Sequence, residues 1–163
     1  MRKRGSPMLR VCILYAPDES GLKRLAESLL KAFDHKKFSL TVKTAAKATI
    51  ADVTAAQAVI FGCRSQGGLA IHPDFAEFVR AFKGVNLSGR SAAIFMEKDT
   101  ATYLEFASAL KDTDIALFDE PFLISKNLNQ AECEAWVKRF IIFIEEHDYE
   151  KRLWSGQGYP QGA

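Results

Sequence analysis

The chain has 163 residues, about the length of one ordinary domain. Hydrophobic residues make up 48% of it and charged residues 26%, so we expect a packed core rather than intrinsic disorder. A net charge of +2 argues against a nucleic-acid or anionic-membrane partner, and no apolar run reaches the ~18 residues typical of a membrane-spanning helix.

Residues 1–8 are expected to form a flexible N-terminus. Arg2, Lys3 and Arg4 resemble the start of a signal peptide, but the apolar run that follows is short, contains Arg10 and has no small-residue cleavage site. We therefore predict no signal peptide. One domain is predicted over residues 9–146, followed by a polar tail over 147–163.

The segment 10–33 predicts a strand, a turn and a helix in succession. The continuous apolar run after Arg10 is typical of a strand buried on both faces, and Pro17 and Gly21 indicate a turn. Apolar residues then recur at a spacing that places them on one side of a helix: Leu22, Leu25, Ala26, Leu29, Leu30 and Phe33. The backbone N–H groups at the start of this helix favour an anion.

Strands and helices continue to alternate along the chain. Polar and apolar residues alternate over 38–43, which predicts an edge strand, and fully apolar runs predict strands at 58–61, 92–95 and 115–118. Thr49 with Asp52, and Asn129 with Glu132, have the spacing of helix capping boxes. Pro121 interrupts the sequence before 122–124, which we interpret as an edge extension or an insert.

This order predicts a three-layer α/β domain with helices on both faces of a five-stranded parallel sheet. If the weakly apolar second strand lies at the edge, the strand order is 2-1-3-4-5, and a ligand crevice lies between strands one and three. The loops 16–21 and 63–72 would border this crevice, with the loop 97–100 beside them.

The three cysteines are too few and too far apart for a zinc site or a disulfide framework. We expect Cys12, Cys63 and Cys133 to be buried thiols of a cytoplasmic protein. His72, before Pro73, is expected to be a helix cap or a surface residue. No catalytic triad, metal motif or P-loop is found in the sequence.

Several segments resemble flavodoxins. Tyr15-Ala16, then Ser20-Gly21 and Lys-Arg-Leu-Ala-Glu-Ser-Leu, resemble the opening strand, loop and helix of that family. Residues 56–62 and 89–95 resemble its third and fourth strands, and residues 67–78 resemble the loop and helix between them. The resemblance extends over about 9–146 and implies a flavodoxin-like fold.

The resemblance also implies FMN as the cofactor. The protein would transfer electrons to a redox partner protein, or would be an oxidoreductase that reduces a quinone, a flavin or another small acceptor with NAD(P)H. The FMN phosphate would contact Ser20, Gly21, Leu22 and Lys23, chiefly through their backbone N–H groups. The flavin ring would lie against Arg64, Ser65, Gln66, Gly67 and Gly68, with Glu97 on the neighbouring loop.

A second interpretation is a flavodoxin fold that has lost FMN and acts as a binding or protein-interaction module. Leu22 and Lys23 stand where the family usually has Asn and Thr, and no Trp or Tyr falls where a ring would stack on the flavin. On this interpretation Ser20 is a helix N-cap, and Asp18 and Glu19 only complement the helix dipole.

Overall fold

Strands and helices alternate along the part of the chain that the computed structural model describes, which is residues 8–65, 69–97, 101–124 and 127–154, with 148–154 described by their backbone alone. The elements are β1 (Leu9–Ala16), α1 (Ser20–Lys31), β2 (Phe38–Thr44), α2 (Ile50–Thr54), β3 (Ala58–Cys63), α3 (Ala76–Ala81), β4 (Ser91–Glu97), α4 (Thr102–Leu110), β5 (Ala116–Leu117), β6 (Phe122–Ile124) and α5 (Gln130–Trp154).

The strands form one parallel sheet in the order β2-β1-β3-β4-β5, which confirms the predicted fold class and strand order. The fifth position holds two short strands rather than one. β5 pairs with the start of β4, and β6 pairs with its end. The chain leaves the sheet between them, around Pro121, so the described sheet has six strands where five were predicted, and β6 extends the edge.

Hydrophobic cores lie on both faces of this sheet. The first joins β1, β3 and β4 to α1 and α5, with Trp136 and Phe140 among its largest buried side chains. The second joins the opposite face to α2, α3 and α4. At its centre Phe61 stacks on Phe106, with the ring centroids 5.2 Å apart. This gives the three layers that the sequence predicts.

Gly62 allows β3 and β4 to end side by side. It is the register partner of Phe95, and a Cβ atom at Gly62 would lie 1.8 Å from Cζ of that ring. The Phe95 side chain is fully buried, so it uses the space that a larger residue at position 62 would take. The residues that follow the two strands are therefore held close to each other.

Helix ends show both agreement and difference with the sequence-based predictions. The Thr49–Asp52 capping box is confirmed, because Asp52 accepts a hydrogen bond from the N–H of Thr49 (2.9 Å). At the start of α5 the Asn129 side chain caps the helix, but it does so by accepting a hydrogen bond from the N–H of Ala131 (2.9 Å). His72 is buried and caps a 3₁₀ turn through Nδ1, which accepts a hydrogen bond from the Asp74 N–H at 3.1 Å.

The last helix is longer than predicted. α5 continues through His147, where the sequence predicts a frayed tail, and ends at Trp154. The His147 ring lies 4.1 Å from the Phe143 ring, and its Nδ1 is 2.8 Å from the carbonyl oxygen of the same residue, so local contacts extend the helix. No helix in the described ranges combines the length and apolar composition that crossing a membrane requires.

Candidate functional site

The predicted crevice lies at the carboxyl ends of β1, β3 and β4. β1 pairs with both β2 and β3, so the strand order reverses at β1 and the loops after β1 and β3 adjoin. The two loops are joined directly, because the N–H of Arg64 donates to the carbonyl oxygen of Ala16 at 3.2 Å. The crevice on which the functional prediction depends is thus present.

The Arg64 side chain connects three loops across this crevice. Its Nε donates to the carboxylate of Glu19, which follows β1, and its Nη1 lies 3.4 Å from the carboxylate of Glu97, at the end of β4. The same Glu97 accepts hydrogen bonds from the N–H and the hydroxyl of Ser65, at 3.0 and 3.3 Å. We call Glu19, Arg64 and Glu97 the crevice bridge.

The crevice bridge is partly exposed. The three side chains retain 34–38% of their accessible surface, so water screens the attraction, and each ion pair stabilises the fold by about 1 kcal/mol or less. Its main consequence is geometric. One guanidinium and two carboxylates occupy the space between the loops, and together they carry a net charge of −1.

The start of α1 differs from the prediction for Ser20. Glu19, with an extended backbone, is the N-cap, and Ser20 is the first helical residue, because the N–H of Lys23 donates to the Glu19 carbonyl oxygen at 3.0 Å. The interpretation of Ser20 as N-cap is therefore wrong. No side chain caps this helix end, and no acidic residue lies in its first turn.

The four residues predicted to contact a phosphate face different surroundings. Leu22 is fully buried in the core, so only its backbone can face a ligand. The N–H of Lys23 is already used within the helix, and its side chain lines a separate cavity of about 400 Å³ beside β2. Gly21 faces the crevice bridge: a Cβ there would lie 3.6 Å from Arg64 Nη2 and 3.8 Å from Glu19 Oε1.

The residues predicted to contact a flavin ring are described in part. Arg64, Ser65 and Glu97 are brought together by the crevice bridge. Gln66, Gly67 and Gly68 lie outside the described residues. Tyr103, the aromatic residue that follows the loop after β4, packs against the second core, and burial raises the pKa of its hydroxyl.

A cavity of about 500 Å³ lies on the α5 side of Arg64, between α1 and the residues Ile124, Asn127 and Leu128. Its described lining is Gly21, Arg24, Leu25, Arg64, Ile124, Asn127 and Leu128. We call it the α1–α5 cavity. The sequence analysis missed Arg24, Asn127 and Leu128 as candidate residues. The buried stripe of α1 carries a signal for Arg24, because it fixes the direction in which each exposed residue of that helix projects.

Cys63 lies beside the crevice as a buried thiol. It is fully buried, and burial raises its pKa, although the N–H of His72 and the side chain of Thr102 act in the opposite direction. Its Sγ is 3.6 Å from the carbonyl oxygen of Ala70. The prediction that the three cysteines are buried and unbridged is confirmed. In the described ranges no group of His, Cys, Asp or Glu side chains is arranged to hold a metal ion.

No protein-family model and no curated protein matches the sequence. Solved structures do match the fold. A short-chain flavodoxin associated with a PDU bacterial microcompartment superposes with a TM-score of 0.72 at 13% identity, over 84% of this chain and 99% of that one. Flavodoxin 1 from Bacillus cereus gives 0.70 at 15% identity, over 81% of this chain and 97% of that one.

A Fusobacterium nucleatum flavodoxin, solved with flavin mononucleotide bound, gives a TM-score of 0.64 at 8% identity, over 82% of this chain and 97% of that one. The chain has the flavodoxin-like fold. At these identities the likeness extends to the fold alone, so the function has to be argued from the site. The flavodoxin-like fold puts the crevice bridge and the start of α1 at the switch point of the sheet, where ligands of open α/β sheets bind.

Proposed function

We propose that this chain is a binding module with a flavodoxin-like fold rather than a flavin-dependent redox carrier. The observation that carries the proposal is the crevice bridge. Arg64 is the cation best placed to meet a phosphate at the start of α1, yet it is already paired with the carboxylates of Glu19 and Glu97. A dianionic phosphate would enter a site whose three charged side chains already sum to −1.

The residues present do not fit FMN well. A phosphate on the first turn of α1 would lie close to the Glu19 carboxylate, and like charges 5–6 Å apart at a protein surface repel each other by on the order of 1 kcal/mol or more. The Lys23 N–H is not available as a donor. The sequence also has no aromatic residue between Arg64 and Pro73 or between Glu97 and Thr102 to stack on a flavin ring.

An FMN-binding redox protein is the second candidate function. The uncapped start of α1 favours it, because the N–H groups of Ser20, Gly21 and Leu22 are not bonded by a capping side chain and the helix dipole attracts an anion there. This candidate requires Arg64 to leave its two carboxylates. It would also require a redox partner protein or a small-molecule acceptor.

One experiment separates the two candidates. The purified protein is examined for flavin absorbance and then titrated with FMN, with quenching of flavin fluorescence as the readout and an FMN-binding flavodoxin as the positive control. We expect a colourless protein and no quenching. A yellow preparation, or stoichiometric quenching, would replace the proposal with the second candidate.

A matched variant tests the physical reason. Glu19→Gln combined with Glu97→Gln keeps the size of both side chains but removes the two charges that hold Arg64. If the crevice bridge is what excludes FMN, this variant should show measurable quenching where the unmodified protein shows none. Glu77→Gln, which removes a carboxylate paired with the exposed Arg80 elsewhere, is the control and should leave the titration unchanged.

A further inference from the structure

We propose that the α1–α5 cavity binds a small molecule that carries a carboxylate or phosphate group on an apolar body. The inference gives the proposed binding module a ligand class. The inference rests on that proposal for its biological meaning only, because the cavity and the crevice can be tested separately. The volume of the α1–α5 cavity, about 500 Å³, is within the ~300–1,000 Å³ range of small-molecule sites.

Two arginines lie on the polar side of the α1–α5 cavity. Arg24 and Arg64 line it, and none of its described lining residues is acidic. The two arginines differ in their partners. Arg64 is held by Glu19 and Glu97, whereas Arg24 is exposed and forms no side-chain hydrogen bond or ion pair with the described residues. Arg24 therefore leaves a positive charge at the cavity that an anionic group can neutralise.

Gly21 lies at the edge of the same cavity, where the nearby Glu19 carboxylate is already paired with Arg64. Gly21 belongs to the first turn of α1, which no side chain caps, so the positive end of the helix dipole lies beside Arg24. Carboxylate and phosphate oxygens are the acceptors that match a guanidinium most closely. An anionic head group at Arg24 follows from these charges.

Apart from Asn127, the remaining described side chains of the lining are apolar. Leu25 is buried, Ile124 is half-buried at the end of β6, and Leu128 leaves 43% of its surface exposed before α5 begins. An inorganic anion would leave Ile124 and Leu128 in contact with water. An apolar body attached to the anionic head would cover them, and each buried methylene would tighten binding by a factor of about four.

The test uses isothermal titration calorimetry with four probes: octanoate, octyl phosphate, octanol and acetate. We expect octanoate or octyl phosphate to bind, and the two to be ranked by the head group that the site prefers. Octanol has the apolar chain without the anionic group, and acetate has the carboxylate without the chain. Each should bind at least tenfold more weakly. If acetate or octanol binds as tightly as the amphiphilic anions, the proposed ligand class is wrong.

Adjacent residues on α1 supply a matched pair of variants. Arg24→Gln removes the charge at the α1–α5 cavity, whereas Lys23→Gln removes the same charge one residue away, in the separate cavity beside β2. Arg24→Gln should weaken binding of the tighter probe at least tenfold and Lys23→Gln by less than twofold. Equal effects of the two variants would show a non-specific response to net charge and would overturn the inference.

Leu128→Ala tests the apolar side. The exposed side chain contributes little to the fold, so the variant should keep the melting temperature while losing several-fold in affinity for the eight-carbon probe. Unchanged affinity would place the probe elsewhere and contradict the proposal. The FMN titration remains independent: a yellow protein would end the proposed function, whereas an octanoate affinity insensitive to Arg24→Gln would end this inference.

Discussion

Gly62 offers the sharpest test of how the carboxyl ends of the strands are packed. An alanine at this position would place its Cβ 1.8–2.2 Å from three ring atoms of Phe95. Carbon atoms in favourable contact lie about 3.5–4 Å apart, so the ring would have to move by roughly 2 Å. The ring is fully buried in the core on the α1 and α5 face, so it can move only by displacing its neighbours in that core.

We expect Gly62→Ala to lower the free energy of unfolding by about 2 kcal/mol. Overpacking of this kind costs about 1–3 kcal/mol, and the reduced chain entropy of the unfolded state returns somewhat less than 1 kcal/mol. In a chain of this size the melting temperature should fall by about 4–8 °C. Urea unfolding followed by circular dichroism measures the first quantity and a thermal scan the second.

Gly84→Ala is the control, because nothing lies within 4 Å of a Cβ at that position. It should change stability by no more than about 0.5 kcal/mol. The combination of Gly62→Ala with Phe95→Leu should be less damaging than the sum of the two single variants, since the smaller side chain vacates part of the ring's space. Equal losses in Gly62→Ala and Gly84→Ala, or strict additivity with Phe95→Leu, would refute the packing argument.

Three further predictions concern charges and thiols. Arg64→Gln should destabilise the protein by about 1 kcal/mol in low salt and less in high salt, whereas Arg80→Gln, whose ion pair is far more exposed, should have no measurable effect on urea unfolding. Hydrogen bonds from Lys43 and a backbone N–H lower the pKa of Asp52. The ionised carboxylate therefore stabilises the folded state above pH ~4, and this stabilisation is lost as the pH falls through the lowered pKa. Asp52→Asn should make the free energy of unfolding less dependent on pH in the acid range, as measured by urea unfolding at several pH values. Because burial raises the pKa of Cys63, and that of Cys12 to about 12, Ellman's reagent at pH 8 should label the protein only after denaturation; rapid labelling of the folded protein would contradict this.

The fold could be predicted because its signals are local. The apolar run of β1 and the stripe of α1 each lie within one segment, and the residues of that stripe that the sequence singles out, from Leu22 to Leu29, are buried in the structure. The weak second strand predicted the sheet edge for the same reason. β5 and β6 were harder, because the break between them depends on how the chain around Pro121 leaves β4.

The end of α5 shows a second limit. Polar residues after His147 predict fraying when they are considered alone. The helix nevertheless continues, and the His147 ring contacts the ring of Phe143, which packs against the first core from a half-buried position. The contact between His147 and Phe143 therefore lies beyond the point at which composition alone predicts that α5 ends.

The site could be predicted in position but not in its contacts. Ion pairing between Glu19 and Arg64 joins residues 45 positions apart, and Glu97 lies a further 33 positions along the chain. No sequence spacing indicates such partners. The sequence therefore identifies a helix start with nearby charges, whereas the fold determines which charges neutralise each other.

The two candidate functions are separated by which arginine already has carboxylate partners, more than by the residue types present. A phosphate site requires a cation that is free to meet its ligand, and Arg64 would have to exchange two carboxylates for one ligand to become so. Arg24 requires no such exchange, since it already faces the α1–α5 cavity without an acidic partner among the described residues. Arg24 thus lies on the α5 side of the crevice bridge, beside Leu25 and Leu128, where an anion with an apolar body would contact both the guanidinium and the apolar side chains. The same comparison explains why Arg24→Gln, and not a change at Lys23, should decide whether that cavity binds such a ligand.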